Sequence, residues 1–483
     1  MPGLEEVIPQ WIRARPGNTP AGSKGNGGNQ LSTTTTNLVA SSRSKLFLLS
    51  VIALATGGMV FGIRTDILAN LQQVFFEPID VKHAAELIGA AVGAAFLGLA
   101  IANFVGGPMC DWVGMNRLLA IASGLHIAGA LVIIFTPQSM ALATVYWTLW
   151  LGMLSVGLAH GLIEAVINPL TATLYPEDKT HRLNVLHAWW PGGIIIGGLV
   201  AYGLGKLGVG WQIKQAIIIL PALVYGILAL ATKFPPTERV AAGVSDKDMF
   251  REVLKPLFIV WFLCMFLTAT TELTTGGWVD AFLTRSVGFK GILLLVYVSG
   301  LMFVMRHFAG GLAHKLSPVG LMWGSSLFAG IGLLALSWAN SPVSGLVAAT
   351  IWGIGICYMW PTMLAVASER FPRGGAFLMG LLGTAGNLSI FISMKYVGRI
   401  FDWYKVHIAN GAPFNTKFEN LSGGKLNEVL SMASSYSFRW IAVLPAVLLV
   451  VFGIIWLRDR ALGGYKAEKL TAEPEAKAEK TMV

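Results

Sequence analysis

Apolar segments long enough to cross a lipid bilayer recur along almost the whole chain, and they decide the fold class. A helix of about 20 apolar residues spans roughly 30 Å of hydrocarbon. Hydrophobic residues make up 54% of the 483 residues and charged residues only 12%, which excludes an ordinary water-soluble globular domain. We therefore predict an all-α membrane protein.

Hydropathy predicts twelve membrane helices in two sets of six. The most charged internal segment, residues 233–255, separates the two sets and is interpreted as a linker. The two sets resemble a repeat. Pro169 and Glu177 at the fourth helix have the same spacing as Pro361 and Glu369 at the tenth. The predicted helices are 45–71, 84–107, 116–136, 140–174, 183–204 and 210–232, then 256–283, 289–312, 317–339, 343–368, 374–400 and 437–457.

The composition of the tails and loops predicts the topology. Residues 1–44 are rich in Gly, Asn, Ser and Thr and are predicted to be a disordered tail. We assign 45–232 to a first bundle, 256–458 to a second bundle with an outer loop at 401–436, and 459–483 to a second tail. Lys and Arg are concentrated on the side that holds both termini, which predicts cytoplasmic termini, as for a multi-pass protein of a bacterial inner membrane. The net charge of +10 then reflects contact with anionic lipids, and no nucleic-acid partner is expected.

The cysteines and the remaining motifs favour no metal, disulfide or cofactor site. Cys110, Cys264 and Cys357 lie in or beside apolar segments at spacings that match no ligand or redox motif, so we interpret them as small core residues. No metal-protease or hydrolase motif is present, and no soluble output domain accompanies the helices. An embedded enzyme or a membrane sensor is therefore only a remote alternative.

The end of the first predicted helix, "GIRTDILANLQQVFF", carries two charges. The spacing places Gly62, Asp66, Asn70 and Gln73 on one face, as a polar stripe that would line a cavity. Arg64 is about 200° away around the helix and cannot share that face. Both charges are candidate functional groups, because ionisable residues inside a membrane are costly. The alternative is that they lie at the outer membrane surface, roughly 31 Å from the start of the helix.

The fourth predicted helix places His160, Glu164, Asn168 and Thr171 on one face. Glu164 lies well inside an apolar stretch, where a carboxyl group can exchange a proton, so we predict that Glu164 carries protons with His160 beside it. Asn168 is a candidate substrate ligand. The alternative for Glu164 is a structural ion pair with Arg64.

Other polar residues in predicted helices are candidate substrate ligands. His187 and Trp190 lie just before a Pro-Gly-Gly break in the fifth helix. The pair suits a sugar, because the apolar face of a sugar ring stacks on an indole and its hydroxyl groups form hydrogen bonds with an imidazole. The alternative is that Trp189 and Trp190 belong to an interfacial belt. Glu272 in the seventh helix and Asn387 in the eleventh are further candidates, each with a structural or packing role as the alternative.

Several motifs resemble the major facilitator superfamily. The loop "GGPMCDWVGMNR", with Gly107, Asp111, Gly114 and Arg117, resembles its cytoplasmic motif between the second and third helices. Within the superfamily, further stretches are similar to the fucose, glucose and galactose:proton symporters. These are "DILANLQQVF", "IEAVINP", "HRLNVLHAWWP", "TELTTGG" and "WPTMLAVA".

The resemblance implies the twelve-helix major facilitator fold and a proton-coupled monosaccharide importer that works by alternating access. It implies that Asp66 and Glu164 take part in proton coupling and sugar binding. Where the fucose member has amide residues for the sugar, this chain has His187 and Trp190. A second hypothesis is a proton-coupled transporter of a sugar acid or another small organic anion, with Arg64 binding the carboxylate. The expected partners are the substrate and the lipid bilayer, the coupling ion is the proton, and we expect a monomer.

Overall fold

The computed structural model describes residues 29–80, 84–138, 141–276, 278 and 291–470. Residues 1–28 of the predicted disordered tail, and the end of the predicted seventh helix, lie outside the described residues. The helices are α1 (Asn29–Phe75), α2 (Ala84–Met109), α3 (Met115–Ile134), α4 (Leu142–Leu174), α5 (Lys179–Lys206), α6 (Trp211–Ala216), α7 (Ile219–Ala231), α8 (Glu238–Ala241), α9 (Asp246–Arg251), α10 (Pro256–Ala269), α11 (Gly291–His307), α12 (Ala309–Leu316), α13 (Pro318–Ser337), α14 (Pro342–Ile356), α15 (Met359–Arg370), α16 (Gly375–Asn410), α17 (Gly423–Ile441) and α18 (Val443–Ala461).

The number of membrane spans is consistent with the twelve that hydropathy predicts. Among the described residues, ten helices are long and apolar enough to cross a membrane, or eleven if the bent pair Val296–His307 and Ala309–Leu316 is one span. One of the ten, Leu87–Ile134, has 48 residues, about 72 Å at helical rise and more than one bilayer thickness.

That long segment contains two spans, because the chain reverses at Gly114. This glycine has a φ of +98°, a conformation that side chains with a Cβ rarely adopt. Helix α2 runs parallel to α4 and α3 runs antiparallel to it, so α2 and α3 are successive crossings. The neighbouring pairs are Ala95 with Gly157 and Leu99 with Gly161 for α2, and Gly129 with Val156 and Ile133 with Gly152 for α3.

The predicted linker 233–255 is folded and is bound to the loop between α2 and α3. Arg239 donates to Asp111 from Nε at 2.9 Å, and Thr237 donates to the same carboxylate at 2.5 Å. The side chains of Arg239 and Asp111 are only 3% and 2% exposed. The residue after Asp111 is Trp112, so the base that partners this acid comes from the linker.

The two sets of helices contact each other at the end that carries the linker, here called the linker end. Thr180 at the start of α5 donates to Glu369 at the end of α15 at 2.9 Å. One turn further into the membrane, Asn184 donates to Thr362 at 3.2 Å. Lys179 pairs with the linker at Glu238, at 2.6 Å. These contacts hold the two sets of helices together at the linker end.

Three predicted boundaries need correction. Helix α1 begins at Asn29, so it includes residues 29–44 of the tail that we expected to be disordered. The predicted outer loop 401–436 is mostly helical, because α16 continues to its end at residue 410 and α17 starts at residue 423. Helix α18 continues to residue 461, and beyond it Tyr465 donates to Glu369 at 2.5 Å. The start of the predicted second tail is therefore bound to the bundle.

Candidate functional site

Glu164 lies in the middle of α4 and is 8% exposed. Asn103 Nδ2 of α2 donates to its Oε2 at 3.2 Å, and His160 Nε2, one turn earlier on α4, lies 3.5 Å from its Oε1. Within the described part of the chain, no Lys or Arg pairs with this carboxylate. The alternative of an ion pair with Arg64 is therefore wrong. Glu164 is a buried carboxyl group whose neighbours are an amide and an imidazole.

His160 joins α4 to α1 and α5. Its ring packs edge-on against Trp190 at a centroid distance of 4.8 Å, and a Cβ at Gly57 of α1 would lie 1.9 Å from its Nδ1. A glycine is therefore required at residue 57. The Nε2 atom has no hydrogen-bond partner among the described residues. His160 is thus a titratable group held between Trp190 and Glu164.

Arg64 extends from the same face of α1 as Gly57. It is 9% exposed, and its guanidinium carbon lies 5.3 Å from the ring centre of Phe61 and 5.7 Å from that of Phe96. Phe61 in turn lies 5.8 Å from Trp190. No carboxylate of the described chain pairs with Arg64. Through Gly57 and Phe61, this face of α1 contacts the rings of His160 and Trp190.

The four residues of the predicted polar stripe of α1 do not share one environment. A Cβ at Gly62 would lie 2.6 Å from the carbonyl oxygen of Ile194, so this face packs against α5. Asp66 pairs with Lys214 of α6, with Nζ 2.7 Å from Oδ2. Asn70 and Gln73 are exposed. Gly62 decides the orientation of this face, because a glycine allows the close helix packing that a membrane bundle uses.

A second buried network joins the two sets of helices. Arg306 of α11 donates to the carbonyl oxygens of His187 at 2.8 Å and Cys357 at 2.6 Å, and to Glu272 Oε1 at 3.0 Å. The ring of His187 forms a 2.8 Å hydrogen bond with Asn168 Oδ1. The structure therefore brings three of the predicted ligands close together, namely His187, Asn168 and Glu272. Sequence reasoning overlooked Arg306, although an arginine inside an apolar segment is itself a signal of a functional site.

Glu272 and Asn387 have different surroundings. Glu272 lies in the π-helical turn Thr270–Thr274, and its Oε2 has no hydrogen-bond partner among the described residues. Such turns are frequent at functional sites. Asn387 donates to the carbonyl oxygen of Gly383 in its own helix at 2.9 Å, and a Cβ at Gly383 would lie 2.8 Å from Asn103. Asn387 therefore fits the packing role better.

Comparisons with known proteins agree with this architecture. The major facilitator superfamily model matches residues 46–394. A D-xylose transporter of Levilactobacillus brevis is 25% identical over 194 residues, which are 40% of this chain and 40% of that relative's length. The proton:xylose symporter XylE, solved with 6-bromo-6-deoxy-D-glucose, has a TM-score of 0.68 at 15% identity and covers 86% of this chain and 96% of its own. The E. coli fucose:proton symporter FucP has a TM-score of 0.62 at 16% identity, covering 84% and 99%.

Proposed function

Because the chain belongs to the major facilitator superfamily, we propose that it is a secondary active transporter that imports a monosaccharide together with protons. The observation that carries this proposal is the buried Glu164, which has His160 and Asn103 as neighbours and no permanent cation among the described residues. The similar D-xylose transporter and the two sugar:proton symporters support the same substrate class. The family model, the D-xylose transporter and the similar solved structures point to a transporter and not to an enzyme, so the remote alternative of an embedded enzyme is dropped.

Glu164 is suited to carry the coupling proton. A bare carboxylate in the membrane interior is costly, whereas the protonated acid is neutral and can donate a hydrogen bond. A proton from the outer solution adds to a carboxylate oxygen of Glu164, and the same proton leaves when the site opens at the other end. His160, 3.5 Å away, can accept or return that proton. Asp66 is not part of this route, because it pairs with Lys214.

The substrate site lies between the two networks. Trp190 and Phe61 offer aromatic faces for the apolar face of a sugar ring. Hydrogen-bond partners are the His187 and Asn168 pair and Glu272 Oε2, which has no side-chain partner among the described residues. Alternating access requires the linker-end contacts, such as Thr180 with Glu369, to separate in the inward-open state. We propose that the protein lies in a bacterial inner membrane, with both termini and the linker on the cytoplasmic side.

Uptake into proteoliposomes tests the proposal. The purified full chain should accumulate a radiolabelled monosaccharide when the outside is acidic, and a protonophore should abolish this accumulation. Glu164→Gln should abolish accumulation and leave exchange of labelled for unlabelled sugar intact. The matched control is Glu177→Gln, which changes an exposed carboxylate just beyond α4 and should behave as wild type. Accumulation that is unaffected by the protonophore and by Glu164→Gln would contradict the proposal.

A further inference from the structure

Arg64 is a buried cation without a counter-charge among the described residues. Its side chain is enclosed by Phe61 and Phe96, and the residue is only 9% exposed. The nearby acids have other partners, since Asp66 pairs with Lys214 and Glu164 contacts His160 and Asn103. Aromatic rings attract a guanidinium but do not neutralise it. A group from outside the chain is the natural counter-charge.

The position of Arg64 identifies the source of that group. Gly57, Phe61 and Arg64 follow one face of α1, where Gly57 lies against His160 and Phe61 contacts both Trp190 and the guanidinium. Arg64 is seven positions after Gly57, which corresponds to roughly 10 Å along the helix axis. A six-carbon sugar acid and its hydrogen bonds can bridge this distance. The sugar ring would then lie at Trp190 and its carboxylate at Arg64.

We propose that the substrate is a monosaccharide carboxylate, such as a uronate or an aldonate, and that Arg64 binds its carboxylate. This inference rests on the proposed function and narrows its substrate class. The guanidinium fork matches a carboxylate with two parallel hydrogen bonds, and Lys offers only a point charge. The guanidinium already lies against the rings of Phe61 and Phe96, so that little side-chain freedom is lost on binding.

Competition for uptake tests the inference with defined probes. Proteoliposomes that contain the full chain should take up labelled D-glucuronate or D-gluconate, and D-glucose should compete at least 10-fold more weakly than either acid. Arg64→Gln should raise the KM for the acid more than 10-fold, and Arg64→Lys should restore part of the loss. The matched control is Arg399→Gln, because Arg399 is an exposed arginine that stacks on Tyr396 at 5.8 Å. This control should keep the wild-type KM.

The outcomes separate this inference from the proposed function. If neutral hexoses are transported and neither acid competes, the inference is overturned and the proposed function stands. If the acid is transported with an unchanged KM by Arg64→Gln, Arg64 is not its ligand and the inference also fails. Transport of neither class contradicts both proposals. Size-exclusion chromatography of each variant checks folding, and if Arg64→Gln does not fold, the wild-type competition and the Arg64→Lys KM decide the result.

Discussion

Replacing Arg306 by Met tests the buried network that joins the two sets of helices. Arg306 and Glu272 have side chains that are 2% and 5% exposed and lie 3.0 Å apart. Removing one partner of a buried ion pair costs about 3–5 kcal/mol, because the remaining charge has neither water nor a partner. The carbonyl oxygens of His187 and Cys357 also lose their donor. We therefore expect Arg306→Met to destabilise the protein by at least about 3 kcal/mol.

A double variant separates the unpaired charge from the lost packing. Glu272→Gln in the Arg306→Met background removes the uncompensated carboxylate, so the double variant should be more stable than Arg306→Met alone by about 1–3 kcal/mol. Thermal unfolding in detergent, followed by tryptophan fluorescence and by size-exclusion chromatography after heating, gives the order of the midpoints. We expect the highest unfolding midpoint for wild type, an intermediate one for the double variant and the lowest for Arg306→Met. An Arg306→Met midpoint equal to wild type, or a double variant that is no more stable than Arg306→Met, would refute the reasoning.

Two further predictions concern charges at the ends of the bundle. Asp66→Asn should retain proton-driven uptake and lose no more than about 1 kcal/mol of stability, because the Asp66 side chain is 28% exposed in its pair with Lys214. Loss of uptake by a normally folded variant would show that Asp66 takes part in proton coupling. Arg239→Ala should destabilise the protein by about 3–5 kcal/mol, because it leaves the buried Asp111 without a cation. The control Arg373→Ala, whose side chain is 47% exposed, should melt as wild type, and equal midpoints for the two variants would contradict the account of the linker.

The sequence predicts the fold well because the bilayer sets the length of each apolar segment. Segment length and hydropathy do not locate breaks inside a helix, since Pro256–Thr274 is apolar enough to span although its last turn, Thr270–Thr274, is π-helical. They also do not predict that 401–436 is mostly helical. That segment carries charged and aromatic residues, and its helices are stabilised by side-chain pairs such as Trp403 with His407, stacked at 4.7 Å.

The site is predictable where one helix alone determines the geometry. His160 and Glu164 are one turn apart on α4, so their contact follows from helical spacing. The orientation of α1 depends instead on which face packs against α5, and the close approach at Gly62 turns Asp66 toward α6. Contacts between distant segments, such as Arg306 with His187, require the folded bundle.

The most direct test of the account is whether sugar carries a proton through Glu164. Unlabelled substrate is added to weakly buffered proteoliposomes that have no imposed gradient, and the external pH and the exchange of labelled substrate are recorded on the same preparation. We predict that substrate makes the external medium of wild-type vesicles more alkaline. Vesicles with Glu164→Gln should show no pH change while exchange continues. A pH change of wild-type size in Glu164→Gln vesicles would contradict the account.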